Sequence, residues 1–346
     1  MKKAENQSLT TWSGLDVSKD TFDAGICLLS PNNSEPLELD QIPVSSFPRT
    51  EKGVKLFHHW SFIQRDKAGL EGGNMRIVME STGRYSLELT RWLNKELPFT
   101  KPAIEDPKVI SDFIKSLKVR NKTDKIDAAA ISRYGAERKP KAFIERPVSY
   151  QYLRELTRQR TALSSQLVAA RLRLKEMKHF KELINIQQGV VDSLKLAMDK
   201  LKIELKRHIN ENKELRESIE FATSVPGIGE LTAATILAEC GPLRFFSSRQ
   251  IGAYSGLAPA IRQSGTSLNC SRINKRGPSE LRRILYMASV VGVEYNPKMK
   301  AFYSRLISKG KKPIQARCAV MHKLLILART VVVNKTKYDK NYGLTS

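Results

Sequence analysis

The sequence NKTDKIDAAA, residues 121–130, places two carboxylates three positions apart at the start of a segment that favours a helix. The alanines and the following Ile131 and Tyr134 suit a helix, in which Asp124 and Asp127 project from one face. Two such oxygen donors can share a hard divalent cation. Metal-assisted phosphoryl chemistry would need further carboxylates from elsewhere in the chain and a nucleic-acid partner.

The composition predicts a folded protein of two or three domains. The chain has 346 residues, of which 41% are hydrophobic. It has no apolar run that could cross a bilayer and no apolar signal core after Met1, so we expect a soluble protein that stays inside the cell. Four cysteines lie far apart, without a paired Cys-x-x-Cys, which argues against zinc and against a disulfide framework.

The charge of the chain predicts a polyanionic partner. The net charge is +24 and rises toward the C-terminus. Residues 1–100 carry 12 Lys and Arg against 13 Asp and Glu, whereas residues 221–346 carry 20 against 5. Nucleic acid fits this distribution better than an anionic membrane, because no basic helix with a broad apolar face stands out. A merely solubilising basic surface is the alternative.

Two further acids stand at the ends of predicted strands. Residues 11–30 contain two β-rich runs around Ser18–Asp20, so a hairpin is predicted with Asp16 at the end of its first strand. Residues 75–83, MRIVMESTG, form an apolar strand that runs into Glu80. A buried strand usually avoids an acid, so each carboxylate needs a metal, a cation or solvent; an exposed strand end is the plain alternative.

The order of these elements predicts a ribonuclease H-like domain over residues 1–145. A third strand at 41–47, helices at 52–63 and 85–97 and a short strand at 99–104 complete a β-β-β-α-β-α-β-α order. In that architecture a mixed sheet and a late helix bring their carboxylates together. The four converging acids predict one or two bound Mg²⁺ ions. They are Asp16, Glu80, Asp124 and Asp127.

Residues 146–220 are predicted to form a helical coiled-coil hairpin. Apolar residues recur at 3-4 spacing in two runs, the second of which follows Asn185–Gly189. Their seam could lie within one chain or between protomers, and a plain helical spacer is the alternative. The basic exposed faces would suit a nucleic-acid backbone.

Residues 221–346 are predicted as a mainly helical, basic C-terminal domain. The turn PGIG at 226–229 is similar to a helix-hairpin-helix, in which Gly227 and Gly229 would let the backbone approach a phosphate. An ordinary turn between packed helices is the alternative.

A serine beside a glycine in a predicted loop, Ser264, could be a nucleophile toward phosphate. The surrounding cations would stabilise the charge of a pentavalent transition state. Spacing alone does not establish this role, because Ser255, Ser267 and Ser271 are rivals. The segment 296–333 is predicted to be helical and basic, with a loop at 309–313. The cations around the serine are Arg262, Arg272, Lys275 and Arg276.

Taken together, these motifs resemble the DEDD transposases of bacterial insertion sequences, which are bridge-RNA-guided recombinases. The resemblance spans nearly the whole chain, and the motifs stand in the same order. They are GLDVSK at 14–19, ESTG at 80–83, NKTD at 121–124 with Asp127-Ala128, PGIG at 226–229, GLAP at 256–259, Ser264-Gly265 and KRG at 275–277.

The resemblance implies two chemical centres. The four acids would form the Mg²⁺-binding tetrad of a RuvC-like domain, and Ser264 would join covalently to DNA. A noncoding bridge RNA would pair with donor and target DNA, and dimers would assemble into a tetramer in the bacterial cytoplasm, at the nucleoid. The residues assigned to nucleic-acid binding are Lys122, Gly227, Gly229, Arg262, Arg272, Lys275 and Arg276.

Two other functions are open at this point. A resolvase-like nuclease would use the same tetrad to activate water. A non-enzymatic nucleic-acid-binding protein would need only the helical hairpin and the basic C-terminal region, but it would leave the four acids unexplained.

Overall fold

The computed structural model describes residues 10–28, 38–70, 74–117, 123–177, 179–264, 268–273 and 277–339. The chain divides into two compact units, Met1–Glu145 and Arg146–Ser346. In the described ranges, no helix combines the length and the apolar character needed to cross a bilayer.

The first unit is built on one mixed sheet. Its strands are β1 (Thr10–Val17), β2 (Thr21–Cys27), β3 (Val44–Pro48), β4 (Asn74–Glu80) and β5 (Ala103–Glu105). They lie in the order β3-β2-β1-β4-β5, in which β1, β4 and β5 are parallel and β2 is antiparallel to both of its neighbours. The mixed sheet with its helices confirms the predicted α/β class of this unit.

Helices cover both faces of the sheet. They are α1 (Glu51–Lys67), α2 (Arg84–Glu96), α3 (Pro107–Ser116) and α4 (Asp124–Arg138). Leu15 and Met79 are buried in a cluster that includes side chains of α1 and α2. Trp12 and Val78 belong to a second cluster, with side chains of α3 and α4. Since strand side chains alternate, the two clusters occupy opposite faces.

The structure corrects three details of the first unit. The third strand begins at Val44, and the predicted strand at 99–104 is reduced to residues 103–105. Helix α3 was not predicted, although its start carries two signals, Pro107 at the first helical position and Asp106 as the cap. An Asp106 carboxylate oxygen accepts a hydrogen bond from the Lys108 amide at 2.7 Å.

The second unit is mainly helical. Its elements are α5 (Val148–Glu176), α6 (Lys181–Glu211), α7 (Lys213–Thr223), α8 (Glu230–Cys240), α9 (Ser248–Tyr254), β6 (Pro259–Ser264), β7 (Leu268–Ile273), α10 (Ser279–Tyr295), α11 (Pro297–Ser308) and α12 (Pro313–Asn334). Every residue of α8 from Thr232 to Cys240 is buried, so this helix forms the centre of the unit. This unit contains both of the predicted regions 146–220 and 221–346, and the boundary between them at residue 220 falls inside α7. The division of the chain into three domains stays a prediction.

Helix α6 begins at Lys181, earlier in the chain than the sequence predicts. Asn185–Gly189 lies inside α6 instead of before it. Gln187 donates to the Ala170 carbonyl at 3.0 Å, and Val191 is buried, so this polar segment packs along α5. The antiparallel pair β6–β7 is a second difference, because Ser264 is predicted to lie in a loop.

Candidate active site

Two strand carboxylates stand side by side at one edge of the sheet. Asp16 lies near the end of β1 and Glu80 is the last residue of β4. The two strands are parallel, with Leu15 opposite Met79. Because Leu15 and Met79 face α1 and α2, the next residues along each strand, Asp16 and Glu80, face the side of α3 and α4.

A pair of glycines brings α4 onto this face at backbone distance. Gly14 and Gly25 are opposite each other in the β1–β2 ladder. A Cβ atom at Gly14 would lie 2.0 Å from the Ser132 amide nitrogen, and one at Gly25 would lie 2.8 Å from the Ala128 carbonyl oxygen. Only glycine leaves room for this approach, so these two positions fix how closely α4 packs.

The first turn of α4 carries the remaining two acids. Thr123 caps the helix, and its hydroxyl accepts a hydrogen bond from the Ile126 amide at 3.3 Å. Asp124 and Asp127 follow in the first turn, where the positive end of the helix dipole favours negative charge. Asp124 is exposed and Asp127 is partly buried.

The electrostatics place the four acids near one another. Burial, followed by the charges of Asp127, Asp124 and Glu80, raises the pKa of Asp16 to about 6. No lysine or arginine in the described ranges forms an ion pair with Asp16. Among the described residues, Asp16 therefore lies in a region of negative charge with no lysine or arginine paired to it.

Two more carboxylates lie at the same edge of the sheet, and the sequence analysis did not predict either of them. Asp23 of β2 is directly opposite Asp16, and its charge also raises the pKa of Asp16. Glu105 of β5 is directly opposite Glu80. Burial raises the pKa of Glu105, although a backbone hydrogen bond from Asp106 lowers it. For Asp23 a signal existed, because a tight hairpin at residues 18–21 sets residue 16 opposite residue 23.

The chemistry of these donors fits a divalent cation. Carboxylate oxygens are the preferred ligands of hard cations, and a cation would offset both the burial and the neighbouring negative charges that raise the pKa of Asp16. The hydroxyl of Thr82, two residues after Glu80, is buried and has no hydrogen-bond partner in the described chain. Among the residues described, no three His, Cys, Asp or Glu side chains are close enough to form one ligand set as they stand.

The predicted nucleophile belongs to the second unit. Ser264 ends β6, where its backbone pairs with Leu268. Arg262 and Arg272 lie in the same two-stranded ladder, whereas Lys122, Lys275 and Arg276 lie outside the described residues. Of the rival serines, Ser255 is fully buried and donates to the Gly252 carbonyl at 2.8 Å, which leaves it unsuited to attack DNA.

The two glycines of the 226–229 turn differ in their surroundings. Gly227 has a positive φ of 103°, and a Cβ there would lie 2.6 Å from the Gly292 Cα, so this glycine packs against α10. Gly229 precedes α8 and has open space around it. The packing alternative therefore accounts for Gly227, while Gly229 is placed where a ligand could approach the start of α8.

Comparison with known proteins identifies the family. The model of the transposase IS116/IS110/IS902 family matches residues 220–304, and a transposase model of the DEDD type from IS110 elements matches residues 13–182. The DEDD type implies dependence on divalent metal ions.

Three relatives match between 60% and 95% of this chain. The pilin gene-inverting proteins of Moraxella bovis and Moraxella lacunata are each 30% identical over 336 residues, which is 95% of this chain and 98% of each relative. The transposase for insertion sequence element IS1111A of Coxiella burnetii is 27% identical over 241 residues, 60% of this chain and 63% of that protein. The chain belongs to the IS116/IS110/IS902 family of DNA transposases.

Proposed function

We propose that this transposase cuts, exchanges and rejoins donor and target DNA through two centres, a Mg²⁺ site at the sheet edge and a nucleophilic serine in the second unit. The observation that carries the proposal is that Asp16 and Glu80 end adjacent parallel strands on the face against which α4 packs. Burial, followed by the charges of Asp127, Asp124 and Glu80, raises the pKa of Asp16 to about 6. A fold retains such repulsion most readily where a cation or a reaction uses it.

The carboxylates of Asp16, Glu80, Asp124 and Asp127 would hold the cation. When bound, Mg²⁺ supplies positive charge that polarises the phosphoryl oxygens and stabilises the leaving oxygen. Asp16 and Glu80 lie on paired strands, and the α4 backbone packs directly on Gly14 and Gly25. All four acids therefore come from rigid elements, as a preorganised site requires.

Ser264 would form the covalent link to DNA. Its hydroxyl oxygen bonds to a DNA phosphorus while one P–O bond of the strand breaks, and the hydroxyl proton passes to the departing strand end. The hydroxyl of the exchanged strand then attacks the phosphoserine and releases the serine. One phosphodiester is used and one is made, so no energy-supplying cofactor is needed. The cationic positions Arg262 and Arg272 in the same ladder support phosphate binding here.

A noncoding bridge RNA and a homo-oligomer complete the proposal. The net charge of +24 supports binding to long polyanions of either kind. Base pairing by the RNA would select donor and target, while the protein would contact backbone and shape. We propose a dimer that assembles into a tetramer and acts at the bacterial nucleoid.

The test is a search for a protein–DNA adduct. Purified protein with its co-purifying RNA is incubated with labelled donor and target DNA and Mg²⁺, then run on a denaturing gel. We expect a DNA-linked protein band that is lost in Ser264→Ala and in Asp124→Asn. The band should also fail to form when the protein is treated with RNase before the DNA is added. Ser271→Ala, in the partner strand β7, is the matched control and should keep the band.

Other outcomes identify the competing functions. Metal-dependent cleavage without any adduct would mean a nuclease that activates water. Binding without cleavage under any metal would mean a non-enzymatic nucleic-acid-binding protein.

DNA inversion is a second candidate, because the two relatives that match over 98% of their length are named as pilin gene-inverting proteins. Inversion uses the same cutting and rejoining, but both sites lie on one DNA molecule. A reporter plasmid with two sites in inverted orientation would distinguish the two: inverted product favours the invertase, and insertion into a second plasmid favours transposition.

A further inference from the structure

We infer that the hairpin of α11 and α12 is a second nucleic-acid surface, one that holds the phosphate backbone of a DNA duplex independently of the catalytic residues. The inference deepens the proposed binding of nucleic acid and rests on it. Residues 295–338 contain eleven Lys and Arg and no Asp or Glu. A block of this sign is the footprint expected for a polyanion.

Three cations of this hairpin lie over aromatic rings. The Lys323 ammonium lies 4.3 Å from the centre of the Phe302 ring, and the Arg305 guanidinium lies 5.4 Å from the same centre. The Arg317 guanidinium lies 5.6 Å from the Tyr303 ring. Within the described ranges, no carboxylate forms an ion pair with these three cations.

This arrangement has a consequence for ligand binding. A carboxylate partner would order a cation and also neutralise it, whereas an aromatic ring orders the cation and leaves its full charge available. Ordered side chains lose less conformational entropy when they contact a phosphate. Lys309, Lys311 and Lys312, all exposed, continue the positive surface through the loop between the two helices.

Duplex DNA fits this surface better than a membrane does. The Phe302 ring is already covered by cations, and the exposed large apolar side chains on the two helices are Ile307 and Ile314 within the described chain. A membrane-binding helix needs a broad apolar face to insert. A regular array of phosphates needs only correctly spaced charge.

The test measures binding of the full-length protein to a labelled duplex of unrelated sequence, roughly 30 base pairs long, by fluorescence anisotropy in EDTA at about 50 to 200 mM KCl. The triple variant Lys309→Gln/Lys311→Gln/Lys312→Gln should lose affinity on the order of ten- to a hundred-fold at the lowest salt. Its plot of log K against log salt should be shallower by about 2 to 3, because each lost phosphate contact removes about 0.9.

The matched control is Lys55→Gln/Lys95→Gln/Lys108→Gln. It removes the same formal charge from lysines of the first unit that are paired with Glu96, Glu51 and Asp112. The control should keep the wild-type salt slope. Equal losses in both triple variants would overturn the inference, because the effect would then reflect net charge alone.

Two more measurements complete the test. Phe302→Leu keeps every charge but removes the ring under Lys323 and Arg305, so it should weaken binding about three-fold with an unchanged salt slope. Tight binding of the wild type to vesicles of anionic lipid, lost in the loop variant while duplex binding persists, would assign the surface to a membrane instead. Since no metal and no Ser264 are involved, failure of the catalytic proposal would leave these results unchanged, and failure here would leave the adduct band in place.

Discussion

Asp16→Asn is expected to stabilise the first unit in the absence of divalent cations and to abolish DNA strand cleavage. The carboxyl of Asp16 has its pKa raised from 3.8 to about 6, first by burial and then by the neighbouring acids. At about 1.4 kcal/mol per pKa unit this difference is roughly 3 kcal/mol, and solvent screening of the partly exposed carboxylate reduces the expected destabilisation to about 1 to 2 kcal/mol once Asp16 is ionised in the folded state. An asparagine of nearly the same shape removes that charge and should recover most of the difference.

The sign of the effect sets its pH dependence. The folded state binds the Asp16 proton more tightly than the unfolded state, so the stability of the wild type falls as the pH rises from about 4 to about 6. The gain from Asp16→Asn should therefore be small near pH 4 and complete above about pH 7.

Tryptophan fluorescence during urea unfolding measures this effect in the first unit alone. The only tryptophans of the sequence, Trp12, Trp60 and Trp92, all lie in residues 1–145. Asp20→Asn, in the exposed hairpin turn, is the control for a simple change of net charge and should leave the midpoint nearly unchanged. If Asp16→Asn in EDTA at pH 8 were no more stable than the wild type, the assigned repulsion at the sheet edge would be wrong.

Three further substitutions test particular contacts. Gly14→Ala would put a Cβ atom 2.0 Å from the α4 backbone and should cost about 3 kcal/mol of stability by tryptophan fluorescence; a cost below about 1 kcal/mol would show that α4 can move away freely. Arg49→Met removes a 2.7 Å hydrogen bond from the Arg49 Nε to the Lys19 carbonyl, in the hairpin turn that follows Asp16, together with the ion pair to Glu88, so adduct formation should fall more than stability does; equal losses would mean a purely structural role. Glu239→Gln leaves Arg154 and Arg158 of α5 without their buried carboxylate, and the free energy of unfolding measured by circular dichroism should fall by about 3 kcal/mol. An unchanged unfolding midpoint would show that these two ion pairs contribute nothing to stability.

The strand ends of the first unit could be predicted because each is encoded locally. An apolar run that stops at Asp16 or Glu80 identifies both the strand and the polar edge where it ends. The carboxylate opposite Glu80 could not be predicted in the same way. Glu105 meets Glu80 only through the parallel register of β4 and β5, which depends on contacts between residues far apart in sequence.

In the second unit, local polarity was a poor guide to helix ends. Asn185–Gly189 contains residues that often interrupt helices, yet α6 continues through them, because Gln187 donates to the Ala170 carbonyl of α5 and Val191 is buried. Tertiary packing overrides the weak local preference of such a segment. The β6–β7 pair was missed for a related reason, since two six-residue strands gain their stability from each other rather than from a pattern along either one.

The close packing of α4 explains why the repulsion at the sheet edge persists. The helix touches the strands through backbone atoms at Gly14 and Gly25, so its distance is fixed by contacts that no side-chain rotation can relax. Moving α4 outward would separate Asp124 and Asp127 from Asp16, but it would also open the packed layer around Ala128 and Ala129, which are buried. The carboxylates are therefore held together by the same contacts that hold the fold. A divalent cation and the Asp16→Asn substitution should each relieve this repulsion, and only the cation does so while keeping the ligand set complete. Asp16→Asn is thus expected to raise the stability of the first unit in EDTA and to abolish strand cleavage.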